Sequence, residues 1–162
     1  HTAEKVIALV RRSTSLPLIA KLSPNVTDIA EIARAVEAGG ADGVSLINTL
    51  LGMSIDIERQ RPLLANVFGG LSGPAVKPVA LRMVWQASHA VSIPVIGLGG
   101  ITGAEDAIEF MMAGASAFEI GSANFHDPYT APRLIKALNE WLDRHGYRHI
   151  GEIIGIADKN RT

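Results

Sequence analysis

The chain has 162 residues, enough for one domain with a substantial core, and it is 48% hydrophobic with only 5% aromatic side chains. A net charge of −1 at pH 7 offers no basic surface to a nucleic acid, and the apolar content excludes a natively disordered chain. The sequence contains no cysteine, which removes disulfides, thiolate metal sites and a cysteine nucleophile from it, and no apolar run approaches the roughly 18 residues of a membrane span.

The chain opens His1-Thr-Ala-Glu without a signal-peptide pattern, and the absence of cysteine makes a reducing cytoplasm the expected compartment. Residues 3–12 carry Val6, Ile7, Leu9 and Val10 at helical spacing. Residues 16–22 (LPLIAKL) read as the first strand. A helix over 27–38 follows, opened by Thr27 as N-cap, with Glu31 one residue beyond capping-box spacing. The second strand is 43–47 (GVSLI). Residues 48–76 then break the rhythm as one long irregular segment, of a length that in compact domains is functional or mobile. Its end, FGGLSGPA, suits a loop that wraps an anion. Helix 78–90, strand 93–98 (IPVIGL), helix 104–113, strand 117–120 (AFEI) and helix 131–145 complete the chain. Gly39-Gly40, Gly114 and Gly146 stand where left-handed helix caps are needed.

This is an α/β pattern: one helix, then about four βα units. Strands that are apolar throughout suit a parallel sheet with helices packed on it. The phrases AGGADGVSL (38–46) and MAGASAFEI (112–120) repeat one helix-to-strand junction. A doubly wound sheet is the competing layout, but its G-x-G-x-x-G turn is not present after the first strand, at Lys21-Leu-Ser-Pro-Asn25. Residues 1–162 are therefore expected to form a single domain, half of a TIM (β/α)8 barrel.

In such a barrel the chemistry sits where strands end. Those positions are Lys21 to Asn25, Asn48-Thr49, Gly99-Gly100 and Gly121-Ser122, joined by the glycine-rich stretch 69–73. One Gly-Gly pair alone is an ordinary βα turn. Two consecutive strands that both finish on small residues, with a third glycine-rich loop, point instead to a phosphate cradle built from backbone N–H groups. Lys21, at the end of an apolar strand, either reaches solvent or presents a fixed cation to an anionic ligand. Asn48 and Thr49 offer uncharged donors and acceptors, or an ordinary turn. His89, His145 and His149 read as surface residues, His126 as a weak loop candidate, and Glu119 as a carboxylate equally suited to a structural role. No metal-ligand spacing occurs, so no metal is expected.

Five stretches, AKLSPNVTDI (20–29), ADGVSLINTLLGM (41–53), GGLSGPAVKPVALRMV (69–84), PVIGLGGI (94–101) and GASAFEIGSANF (114–125), together resemble the C-terminal half of dihydroorotate dehydrogenases. The NAD-dependent class 1B catalytic subunits are the most similar type. The resemblance implies an FMN-dependent oxidation of dihydroorotate to orotate in pyrimidine (UMP) biosynthesis. It implies Lys21 at the isoalloxazine, Ile47 beside the flavin, and Asn48 and Thr49 on the pyrimidine. Gly73, Gly99, Gly100, Gly121 and Ser122 would surround the FMN phosphate. The family's base is a cysteine on the preceding half, so no catalytic residue is expected in this chain. The implied partners are the missing N-terminal barrel half, a second copy in a homodimer, and an iron–sulfur/FAD subunit that passes electrons to NAD. A half-barrel alone would expose sheet edges and self-associate unless completed. Two alternatives remain: a flavoenzyme of the dihydropyrimidine dehydrogenase type, which shares a similar K-L-(S/T)-P-N strand, and a non-catalytic fragment.

Overall fold

The alternation of apolar runs and amphipathic segments builds one parallel sheet with helices packed along it. The structure, a computed structural model, describes residues 2–160. Helix α1 (Thr2–Ser13) leads to strand β1 (Ile19–Leu22), helix α2 (Ile29–Ala38) and strand β2 (Gly43–Leu46). An arm of four short strands follows: β3 (Leu50–Met53), β4 (Ile55–Asp56), β5 (Arg61–Pro62) and β6 (Phe68–Leu71). A 3-10 turn (Pro74–Val76) then runs into α3 (Lys77–Ser88). Strand β7 (Val95–Leu98), α4 (Ala104–Met112), β8 (Ala117–Glu119), α5 (Ala123–His126) and α6 (Thr130–His145) come next, and a 3-10 turn (Ile150–Ile153) and α7 (Ile156–Lys159) close the chain.

The sheet order is β1-β2-β7-β8, every pair parallel. Each strand thus lies beside the next one of the sheet, and crossovers of one hand put α2, α3 and α4 on the same face. A doubly wound sheet would reverse its order part-way. This one does not, which is consistent with part of a barrel. Ala20, Leu22, Val44, Leu46 and Val95 point into the helix-covered core with Val84, Phe110 and Met111. On the other face Ile19, Lys21, Ala117 and Glu119 are exposed.

Several boundaries differ from the sequence reading. The first and third strands of the sheet begin at Ile19 and Val95, because Pro17 and Pro94 have no N–H to give a ladder. The cap of α2 is Asp28 rather than Thr27: its carboxylate accepts from the N–H groups of Ala30 (2.8 Å) and Glu31 (3.3 Å). The segment 48–76 is not an irregular loop. Strands β3 and β6 pair antiparallel from Leu50↔Leu71 to Met53↔Phe68, with β4 and β5 paired beyond them. Apolar residues or glycine occupy both faces of β3, where exposed Leu51 and Met53 alternate with half-buried Leu50 and Gly52, so no polar–apolar alternation marked it as a strand.

The repeated junction is real in three dimensions. Gly40 (φ 94°) and Gly114 (φ 109°) both turn left-handed. After each, an alanine N–H bonds back across the helix end, Ala41 to Val36 and Ala115 to Phe110. His89 and His145 lie on helix surfaces, stacked on Trp85 and Trp141 at 4.7 and 4.0 Å between ring centroids. Among the described residues no helix is long and apolar enough to cross a membrane.

Helix and sheet meet closely at Gly97, where an added Cβ would stand 2.6 Å from the fully buried Phe110 ring. Gly97→Ala should therefore cost about 1–3 kcal/mol in urea unfolding, the usual overpacking range. Most of that loss should be recovered in a Gly97→Ala/Phe110→Leu double variant.

Candidate functional site

Because all four sheet strands run the same way, their C-terminal ends meet at one edge. Lys21 lies on the open face of β1, in register with Ser45 of β2. It is exposed, and its ammonium has no ion-pair or hydrogen-bond partner among the described residues. Ile47 leaves the end of β2 and is only 3% exposed, tucked under Gly99. Asn48 donates its N–H to the Leu22 carbonyl (3.1 Å), and its side-chain oxygen accepts from the Thr49 N–H (2.8 Å). Both side chains face solvent at the mouth.

Asn25, which closes the strand-end stretch Lys21 to Asn25 but is given no role of its own by the sequence, holds this corner. Its amide nitrogen donates to the Thr49 carbonyl (3.0 Å) and its amide oxygen accepts from the Leu51 N–H (3.0 Å). One side chain thereby ties the β1–α2 loop to Thr49 and to the root of the arm. A polar residue just after Pro24 at a strand end was the signal available for it.

The glycines fall into two groups. Gly99 (φ 124°) and Gly100 (φ 78°) adopt backbone conformations that side chains resist. A Cβ on Gly100 would also lie 2.9 Å from the Gly73 carbonyl oxygen and from the Lys77 nitrogen. The fold alone accounts for both. Gly121 has no positive φ and open space where a Cβ would go, so packing does not require glycine there. Gly73 needs its φ of 94° but likewise has nothing within 4 Å of a Cβ. The N–H groups of Gly73, Gly100, Gly121 and Ser122 have no hydrogen-bond acceptor among the described residues.

All nine candidate residues line one cleft of about 590 Å³, its open mouth included. Leu71, Val76, Leu98 and Ile101 supply apolar wall between the polar ends. His126, at the end of α5, and Glu119 do not line it.

Behind the cleft, Lys77 donates to Asp106 (2.7 Å) and to Glu109 (3.0 Å). The other Asp106 oxygen accepts from the Thr102 N–H (2.8 Å), the Thr102 hydroxyl (2.8 Å) and the Gly103 N–H (3.1 Å). Burial pushes the Asp106 carboxyl upward. The hydrogen bonds from Lys77 and Thr102, with the lysine charge, outweigh it and hold the group below the ordinary carboxylate range. The hydrogen bonds to Asp106, then Glu109, raise Lys77 above the ordinary lysine value against an opposing burial effect. Nothing in the sequence signals this cluster, whose members stand 29 and 32 residues apart.

Residues 1–142 match the family model described as dihydroorotate dehydrogenase. The chain belongs to the dihydroorotate dehydrogenase family. It is 60% identical over 159 residues to the dihydroorotate dehydrogenase B (NAD(+)) catalytic subunit of Parabacteroides distasonis, covering 98% of this chain and 52% of that protein. The subunit of the same name from Bacteroides fragilis is 63% identical over 154 residues, covering 95% of this chain and 51% of its own length. That of Desulforamulus reducens is 58% identical over 157 residues, covering 97% and 52%. The chain thus spans about half the length of these dihydroorotate dehydrogenases.

Two outcomes follow from the site's geometry. Gly100→Ala should lower the melting temperature by several degrees, whereas Gly121→Ala, free of strain and clash, should leave stability within about 0.5 kcal/mol. The second concerns pH. Asp106 has a lowered folded-state pKa, so its stabilisation is present above the ordinary carboxylate range and is lost as pH falls through the lowered value. Melting curves of Asp106→Asn should therefore fall less steeply than wild type below about pH 4.

Proposed function

We propose that this chain is the cofactor-holding, C-terminal half of a (β/α)8 barrel in an FMN-dependent dihydroorotate dehydrogenase that oxidises dihydroorotate to orotate for pyrimidine synthesis. Residues 1–162 act in it as one domain. The reading is supported by family membership, by relatives about twice as long, and by a sheet whose order never reverses and whose edge strands, β1 and β8, have no strand on their outer sides among the described residues. The single observation that carries the cofactor is the set of unpaired N–H groups at Gly73, Gly100, Gly121 and Ser122 around one cleft. Backbone donors left without acceptors are costly unless water or a ligand takes them, and unpaired donors on turns that line one cleft suit a phosphate.

FMN held here would supply a hydride acceptor at its N5. The chain's own residues then divide the work. Gly73, Gly99, Gly100, Gly121 and Ser122 hold the phosphate end, where open space at Gly121 lets an oxygen approach the backbone. Ile47 forms an apolar floor beside the ring. Lys21, an unpaired cation at the end of β1, favours negative charge developing on the group next to it. Asn48 and Thr49 hold the polar edge of the pyrimidine, in an orientation fixed by Asn25. The base that takes the substrate proton comes from outside this chain, which has no cysteine. The remaining partners in this reading are the other barrel half, a second copy, and an iron–sulfur/FAD subunit that relays electrons to NAD. The relatives' name, catalytic subunit, supports a partner subunit.

Titration with FMN tests the cofactor directly: flavin fluorescence should be quenched and the melting temperature should rise with ligand concentration. Neither change would leave the chain a half-barrel without a working cofactor site. In the enzyme assembled with its other half, Lys21→Ala should slow flavin bleaching by dihydroorotate about a hundredfold, with melting temperature unchanged. Wild-type bleaching kinetics in that variant would remove Lys21 from the reaction.

A further inference from the structure

The two walls of the cleft come from segments far apart in the chain. Gly73 precedes the 3-10 turn that leads into α3, while Gly99 and Gly100 form the turn between β7 and α4. They touch without room for a methyl group, since a Cβ on Gly100 would sit 2.9 Å from both the Gly73 oxygen and the Lys77 backbone nitrogen. Contact of that closeness needs something to hold it. Lys77, first residue of α3, reaches across to Asp106 at 2.7 Å. Asp106 turns its second oxygen onto the N–H groups of Thr102 and Gly103, directly after the glycine turn. The pair is shielded, with side-chain exposures of 24% and 16%, so it is worth more than an open surface bridge.

Lys77 also donates to Glu109 at 3.0 Å, so its ammonium is held by two carboxylates of α4.

We propose that Lys77 and Asp106 are positioning residues of the phosphate cradle. Their ion pair fixes the spacing between the Gly73 and Gly100 amides. The inference rests on the reading of the cleft as a flavin phosphate site, and it concerns the phosphate alone. Riboflavin, which lacks that group, is the matched control.

The full chain is titrated with FMN and with riboflavin, as wild type, Lys77→Met, Lys77→Arg and Asp106→Asn, by flavin fluorescence. Wild type should prefer FMN. Lys77→Met should lose about tenfold of that preference, the scale typical of residues that orient a ligand-binding group, while riboflavin affinity holds within about twofold. Lys77→Arg, which keeps the charge and the reach, should retain the preference. If Lys77→Met melts too low to titrate, Asp106→Asn carries the same expectation, since it removes the charge Lys77 is drawn to. An undiminished FMN preference in Lys77→Met or Asp106→Asn, or an equal loss of both flavins, overturns the proposal. A wild-type chain that binds FMN no more tightly than riboflavin overturns the phosphate reading itself, and the role of the pair with it.

Discussion

Parallel strand order is the constraint on which the rest of this structure depends. Once β1, β2, β7 and β8 lie side by side in one direction, their C-terminal ends share an edge whatever residues they carry. That edge gathers Lys21, Ile47 to Thr49, Gly99-Gly100 and Gly121-Ser122, which are up to about a hundred positions apart in the chain, into one cleft. The helix-covered face is closed by apolar contact around Val44, Leu46 and Phe110 and leaves no room for chemistry. The open edge is what remains for it.

Within that edge the glycines have separate physical causes. Gly99 and Gly100 are set by backbone conformation and by contact with Ala80 and Lys77, and would be glycine in a protein with no ligand at all. Gly121 is different, because none of the described residues comes within 4 Å of a Cβ placed on it. Its small size makes sense against something that arrives from outside. In the proposed reading the N–H groups of Gly73, Gly100, Gly121 and Ser122, unpaired among the described residues, form one donor set, and the Lys77–Asp106–Thr102 hydrogen bonds hold its walls.

Much of this was legible in the sequence, for local reasons. Helix ends were visible because Gly40, Gly114 and Gly146 mark left-handed turns, and the strands because they are short apolar runs bounded by glycine and proline. Strand ends alone gave Lys21, Asn48, Thr49, Gly99, Gly100, Gly121 and Ser122 as cleft candidates, whereas Gly73 came from the glycine-rich stretch and Ile47 only from the family resemblance. The arm of β3 to β6 was hidden because exposed leucines and phenylalanine erase the polar–apolar alternation. Asp28 displaced Thr27 as cap by one position, within the usual slack of helix boundaries. The Lys77–Asp106 pair left no trace, since an ion pair between residues 29 apart has no periodicity to betray it. Nor could the sequence separate Gly100 from Gly121, which look alike as letters and differ only in what surrounds them.

The central claim is that four backbone amides on three separate segments receive one phosphate. Amide shift mapping of the ¹⁵N-labelled chain during FMN titration tests it most directly. The account predicts that the amides of Gly73, Gly100, Gly121 and Ser122 shift together and saturate at one ligand concentration. Shifts confined to other surfaces, such as the outer groove beside Trp85 and Met112, with those four amides unmoved, would contradict it.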